Sequence, residues 1–404
     1  METHVRMNLG RRAVLAAVAS LAAVSLAACG SSDDTTTDAG ASQSPAANTS
    51  TDWSAAQSAE AGGGMDALVA AANAEGALNV IALPPTWANW GEILQDFQAK
   101  YPDIKLTSAN PDGSSQDEID AIEKGKGQAS APDVVDVGNA YALQAAVAGD
   151  FAAYKVATWD DIPDAQKDSG GLWWMDYGGY ISIGCSQTAL DKKGVTCPTT
   201  IKELDNPALK GMVALNGDPT EANAAFMSVW AAALANGGSA DDIQPGIDFF
   251  KKLNGEGIFN KTSVTPATVA SGATPIVLDW DYLQLANTNA LKKKGVNWVV
   301  NDPSDGLVGG YYTQAISATA PHPAAARLFE EFLYSHDMDG GQNGWLRGFA
   351  RPVEFDAMQS DGTLDPKAAA LLPKVTGDTS FNPTQDQITA AKDAVTKNWA
   401  NAVH

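Results

Sequence analysis

The sequence predicts an α/β protein built as two lobes. Short apolar, β-prone runs alternate with amphipathic helical stretches through most of the chain. The region from Met65 to His404 is long enough for two lobes at the usual domain size of about 100–200 residues. That region shows no internal repeat and no apolar run long enough to span a membrane. Strands separated by helices argue for mixed, largely parallel sheets, in which ligands collect at the loops beyond the strand C-termini.

Residues 1–28 read as a signal peptide: Arg6, Arg11 and Arg12 precede an apolar run, Ala13 to Ala28, that is short for a membrane span. The run ends in Leu26-Ala27-Ala28-Cys29-Gly30, which resembles the lipobox of bacterial lipoproteins. The resemblance implies a lipid on Cys29 and an anchor on the outer face of the cell membrane. Whether export uses the general secretory route or the twin-arginine route, for which Arg11-Arg12 is half a signal, stays open. Residues 29–64 are almost wholly small or polar, with Trp53 the one large apolar side chain, and are expected to form a disordered tether.

The body begins with a strand at Ala77 to Leu83, ended by Pro84-Pro85. Trp90, Ile93, Leu94 and Phe97 then fall on one helical face, and this helix should stop before Tyr101-Pro102. A strand at Lys105 to Ser108 follows. Val134 to Val137 and Pro275 to Leu278 read as further strands, and Pro323 to Ser335 as a helix with Leu328, Phe329, Phe332 and Leu333 inward. Once Cys29 is lipidated, Cys185 and Cys197 are left as an even pair in an oxidising compartment, and a disulfide between them is expected.

The order of these pieces resembles the extracellular solute-binding proteins of ABC importers, in particular the group that includes iron(III)-, polyamine-, thiamine- and phosphorylated-solute-binding members. The residues that carry the resemblance are Pro84-Pro85-Thr86-Trp87-Ala88-Asn89-Trp90, Tyr101-Pro102-Asp103-Ile104 and Ala131-Pro132-Asp133-Val134-Val135-Asp136. They are joined by Asp176-Tyr177-Gly178-Gly179, Leu215-Asn216-Gly217-Asp218-Pro219 and Pro321-His322-Pro323. The resemblance implies a periplasmic-binding-protein-like fold of type II. Its first lobe would hold residues 65–178 and 310–352, and its second 179–309 and 353–404. The glycine-rich crossovers near Tyr177 to Ser182 and Val308 to Thr313 would serve as hinges. It also implies a monomer that passes a small solute to a permease and its ATPase.

Candidate ligand-binding residues sit in loops after strands. Trp87 follows the first strand, whereas Trp90 is better placed in the core. Asp112, Ser114 and Ser115 lie in a loop rich in hydroxyls and free N–H groups, although Asn, Pro, Asp, Gly and Ser also form turns for local reasons. Asn139 and Tyr141 follow the third strand, and Asp176 precedes the first crossover. Asp218 either faces the cleft or caps the helix that carries Phe226, Val229 and Trp230. Asp279, Trp280, Asp281 and Tyr282 end a buried strand, and two carboxylates interleaved with two aromatics suit an organic cation such as a polyamine. The pair Tyr311-Tyr312 invites comparison with iron-binding tyrosines, but it falls in the return crossover, and the matching position, Asp281-Tyr282, holds one tyrosine. Ferric iron and phosphorylated or carboxylated solutes remain alternatives.

Removing residues 1–28 leaves 47 acidic and 23 basic residues. So acidic a surface repels phosphate backbones, and nucleic acid is not an expected partner. The three remaining histidines, His322, His336 and His404, without metal-ligand spacing, and the absence of a Gly-x-Ser-x-Gly elbow or a phosphate-cradling glycine loop, speak against an enzyme and against a bound metal or cofactor. A glycosidase-like carboxylate pair is not excluded, so a secreted hydrolase, or a sensory or adhesion lipoprotein, is the competing class.

Overall fold

The computed structural model describes residues 51–372 and 381–403; residues 1–50, and with them the signal peptide and Cys29, lie outside the described part. Ten strands are used below: β1 (Ala77–Ile81), β2 (Lys105–Ala109), β3 (Val134–Gly138), β4 (Phe151–Ala152), β5 (Trp174–Ser186), β6 (Val213–Leu215), β7 (Ile276–Trp280), β8 (Trp298–Asn301), β9 (Gly309–Ser317) and β10 (Arg351–Pro352). The expected strands and helices form where the apolar patterning places them. In the helix Trp90–Lys100 the buried residues are Trp90, Ile93 and Phe97, and Tyr101 leaves the helical conformation.

β5 organises the molecule. Its first half pairs with β9 and β10, and its second half with β7 and β8, so one long strand belongs to both lobes. Two glycines permit the crossing. A Cβ on Gly178 would come 2.3 Å from the Gly310 carbonyl oxygen, and one on Gly179 would come 2.3 Å from Asp281 Oδ1. The expectation of largely parallel sheets needs correction. Parallel ladders occur at β1–β2 and β6–β7, while β3–β9, β4–β9, β5–β9, β5–β10, β5–β7 and β5–β8 are antiparallel. The reason is topological: the two crossover strands run through the sheets in opposite directions, and most pairings involve one of them.

Two boundaries also differ from expectation. Residues 51–64 are not tether but part of the body. Trp53 is 6% exposed, Ala56 and Ala59 are buried with it, and the buried guanidinium of Arg327 donates to the carbonyls of Ala56 (2.8 Å) and Ser54 (3.0 Å). Residues 353–372, expected in the second lobe, pack instead on first-lobe elements. Glu354 bonds His336 (3.0 Å), and Asn343 donates to the Thr363 carbonyl (3.0 Å) while accepting from the Asp365 N–H (2.8 Å).

Local polar contacts explain several of the motifs. Asp133, after Ala131-Pro132, accepts from the Asn79 N–H (2.7 Å), the His322 N–H (2.7 Å) and His322 Nδ1 (2.9 Å), so the Ala-Pro-Asp and Pro-His-Pro pieces are two halves of one contact. Glu75 accepts from the N–H groups of Ala324 and Ala325 and so caps the helix Pro323–Leu333 with negative charge. Cys185 and Cys197 form a disulfide that ties the end of β5 to the loop beyond it.

Candidate functional site

Where β3, β5, β7 and β9 meet, four aromatic rings form a box. Tyr177 (β5) and Tyr312 (β9) stack at 5.6 Å with planes 7° apart; Trp280, the last residue of β7, and Tyr282, in the following helix, lie nearly parallel at 6.1 Å. The pairs meet edge to face, Tyr177 with Tyr282 at 5.8 Å and Trp280 with Tyr312 at 6.1 Å. Trp87 closes one side, its ring 5.7 Å from that of Tyr312 and its Nε1 donating to Tyr177 Oη (3.0 Å). The Tyr177 hydroxyl in turn donates to Asp136 Oδ2 (2.7 Å), which also accepts from Trp90 Nε1 (3.1 Å).

Carboxyl groups surround this box. Asp279 accepts from Asn216 Nδ2 (2.9 Å) and the Trp280 N–H (2.8 Å); Asp281 accepts from the N–H groups of Tyr180 (3.1 Å) and Tyr282 (2.8 Å). Asp176 accepts from Gln314 Nε2 (2.8 Å), and Glu118 accepts from the Asp136 N–H (2.9 Å). With Asp136 and Glu330 these are six buried acids, and among the described residues none has a Lys, Arg or His partner. Burial pushes the carboxyls of Asp136, Asp279 and Asp281 up to about 7, and those of Glu118, Asp176 and Glu330 well above the usual range. Tyr282 Oη is buried without a hydrogen-bond partner, an uncommon state for a polar atom.

On the other face of the β5/β9 ribbon lies a cavity of about 630 Å³. Successive strand residues point to opposite faces, so Tyr312 enters the box while Tyr311 lines the cavity with Tyr180 and Arg351. At Gly310 the cavity adjoins the packed rings: a Cβ there would lie 3.1 Å from both Met227 Cε and Trp280 Cη2.

The sequence candidates are spread over these surroundings. Trp87, Trp280 and Tyr282 belong to the box, with Asp176, Asp279 and Asp281 among the acids around it. Asn139 opens the helix Asn139–Ala148 and lines the cavity. Asp112 is exposed in its turn, Ser114 caps the helix Ser115–Gly125, and Ser115 Oγ accepts from the Gly138 N–H (3.0 Å). Tyr141 is buried and holds Lys392. Asp218 is exposed and is not the cap of the next helix: its carboxylate binds the Thr220 N–H and hydroxyl, and the helix Asn223–Ala235 begins after Ala222 with no side-chain cap. The two outer loops do meet, the Gln116 N–H donating to the Glu221 carbonyl at 3.4 Å. The residues not chosen from sequence are Asp136, Tyr177, Tyr312 and Arg351. Asp136 had a signal, a charge in the middle of Val134-Val135-Asp136-Val137; Tyr177 and Tyr312 lay in the expected crossovers, Tyr312 in the Tyr311-Tyr312 pair, and Arg351 had none.

No group of His, Cys, Asp and Glu that could hold a metal ion occurs among the described residues, and none of their helices is long and apolar enough to cross a membrane. Residues 129–371 match the family model described as "Bacterial extracellular solute-binding protein". Among curated proteins none matches the chain. Similar solved structures include the periplasmic binding protein AfuA from Actinobacillus pleuropneumoniae with fructose-6-phosphate bound, at 20% identity and a TM-score of 0.65, covering 81% of this chain and 98% of that one. Iron-bound HitA from Pseudomonas aeruginosa is similar at 18% identity and a TM-score of 0.55, covering 81% of this chain and 99% of that one. AgtB from A. tumefacien R10 in complex with agropinic acid is similar at 17% identity and a TM-score of 0.59, covering 81% and 98%. At these identities the likeness is one of fold.

Proposed function

The chain belongs to the bacterial extracellular solute-binding proteins, and on that premise we propose that its solute is a small organic cation, a polyamine or comparable amine, enclosed between the lobes. One observation carries the reading: six buried carboxyl groups stand around an aromatic box with no basic side chain to balance them. Such groups are strongly disfavoured as anions in a dry interior unless a cation joins them. An ammonium group entering the box would meet the faces of Tyr177, Trp280, Tyr282 and Tyr312, an interaction worth about 2 kcal/mol when desolvated. It would also meet Asp136 and Asp279, while Asp281, bonded to the Tyr180 and Tyr282 N–H groups, positions the ring and the hinge.

Access requires the lobes to part. Trp87, Asp136, Tyr177 and Tyr312 stand on the first-lobe side of the crossing, and Asp279, Trp280 and Tyr282 on the second. Rotation near residues 178–181 and 308–310 would open the box, and closure on the solute would present one shape to a permease with its ATPase. The exported chain is placed at the outer membrane face by a lipid on Cys29, with residues 29–50 as the tether and the protein acting as a monomer.

AfuA binds a sugar phosphate and HitA iron, by their descriptions. A phosphorylated solute in this box would confront the carboxyl groups, and ferric iron would require the stacked tyrosines to leave their ring partners. The test is calorimetric titration of putrescine, spermidine and choline into the purified protein and into Asp279→Asn and Asp136→Asn. A cation that binds the parent protein and loses at least about tenfold, roughly 1.4 kcal/mol, in each variant supports the reading. Equal affinity in all three proteins would move the site elsewhere.

A further inference from the structure

We propose that Lys392 is a clasp between the lobes: carried by the C-terminal helix on the second lobe, it holds Tyr141 of the first and keeps the lobes together before any solute enters. The inference rests on the parting of the lobes in the reading above, and not on which solute they enclose.

The helix Gln385–Val403 is fastened to second-lobe residues along its length. Trp399 sets its ring against those of Phe250 (5.7 Å) and Phe259 (6.2 Å), Gln387 Nε2 donates to Asp241 Oδ1 (2.7 Å), and Asn398 Nδ2 donates to Gln244 Oε1 (3.3 Å). From the middle of this helix Lys392 reaches the other way. Its ammonium donates to the Tyr141 hydroxyl, lies 3.9 Å from the centroid of the same ring, and donates to the Thr220 carbonyl. Tyr141 stands in the helix Asn139–Ala148, which packs on β3 and β9 of the first lobe, and Thr220 in the second-lobe loop after β6.

Lys392 is 3% exposed, and burial pushes its ammonium down to about 8. Asp218 and Glu221, on the Thr220 loop, offset part of that push from a distance. The charge is therefore held by one acceptor from each lobe and by a first-lobe ring face. The same loop meets the first lobe at two further points. The Gln116 N–H donates to the Glu221 carbonyl (3.4 Å), and a Cβ on Gly138 would come 2.3 Å from Asn223 Cγ. Removing one partner of the clasp strands the other. Without the ammonium, the Tyr141 hydroxyl and the Thr220 carbonyl lose their donor; without the hydroxyl, a buried ammonium lacks an acceptor. Both losses weigh on the joined lobes and not on the parted ones, where water takes the empty place.

The experiment is small-angle scattering of the solute-free protein beside Lys392→Met, which keeps the apolar stem, and Tyr141→Phe, which keeps the ring. Far-UV circular dichroism and the urea midpoint of each variant report on folding separately. Expected in both variants is a larger radius of gyration at unchanged helix content, from a fall of at least about tenfold in the ratio of joined to parted molecules. A lysine that only packs its helix onto its own lobe would lower the urea midpoint and leave the radius as in the parent. That result, or expansion in Lys392→Met with none in Tyr141→Phe, would overturn the proposal. If Lys392→Met does not fold, Tyr141→Phe decides alone. No solute is added, so failure of the cation reading leaves this outcome untouched.

Discussion

Asp279 and Asp281 have carboxyl groups that burial holds near pKa 7, against an ordinary value of 3.8. In the unfolded chain they ionise near pH 4, whereas in the folded chain they keep their protons until about pH 7. The folded state therefore binds more protons in between, and their contribution to stability, present below pH 4, is lost as pH rises to about 7. A bound cation reverses the preference by favouring the carboxylates. Solute affinity should rise from pH 5.5 to 8, and binding near pH 6.5 should release protons. Titrations in two buffers of different ionisation enthalpy measure that release; proton uptake, or no exchange, would refute the coupling. At this scale the sequence shows that the motif Asp279 to Tyr282 closes a buried strand, and the structure puts these side chains among the buried acids and rings. The sequence misled where a local role sufficed: Ser114 and Asp218 bind their own loops. Asp136 carried a signal, a charge in the middle of a buried apolar strand, but a strand interior is not where loop-based site reasoning looks.

The elements that define the body differ from a reading of composition chiefly at the start. Residues 51–64 looked too polar to order, yet Trp53 sits with its ring where any side chain on Gly62 would collide, and Arg327 bonds the adjoining carbonyls. The sequence could not show this, because the partner is an arginine far along the chain on an apolar helix face. Trp53→Ala should cost about 3 kcal/mol, read as a lower midpoint in urea; an unchanged midpoint would mean that the segment adds nothing to stability. The disulfide closes a span of 12 residues. Its reduction should remove about 3 kcal/mol by the chain-entropy account, checked by unfolding with and without a reducing agent.

At the scale of the molecule, the alternation of strands and helices gave away the α/β class, because that pattern follows from periodicity alone, whereas the two lobes were read from chain length and from the family resemblance. Strand direction was not readable: β5 and β9 were recognisable as glycine-rich crossovers, but which strands each pairs with, and in which sense, is set only by the tertiary fold. The same crossing brings acids and rings from distant parts of the chain into one cluster, which is why that cluster was only half visible in the sequence. Opening and closing about the crossing is the expected working motion. Choline or a polyamine should narrow the distribution of shapes in small-angle scattering, with a smaller radius of gyration if the free protein is open.

The central claim is most directly tested by a thermal-shift titration of the protein with polyamines, quaternary amines, thiamine, ferric citrate and sugar phosphates at pH 8. A ligand that binds only the folded state stabilises it by about 2.7 kcal/mol at a hundred times its dissociation constant. The account expects a saturable upward shift with an amine or quaternary amine, abolished in Asp279→Asn. A shift with a sugar phosphate or ferric citrate alone, unaffected by that substitution, would contradict it.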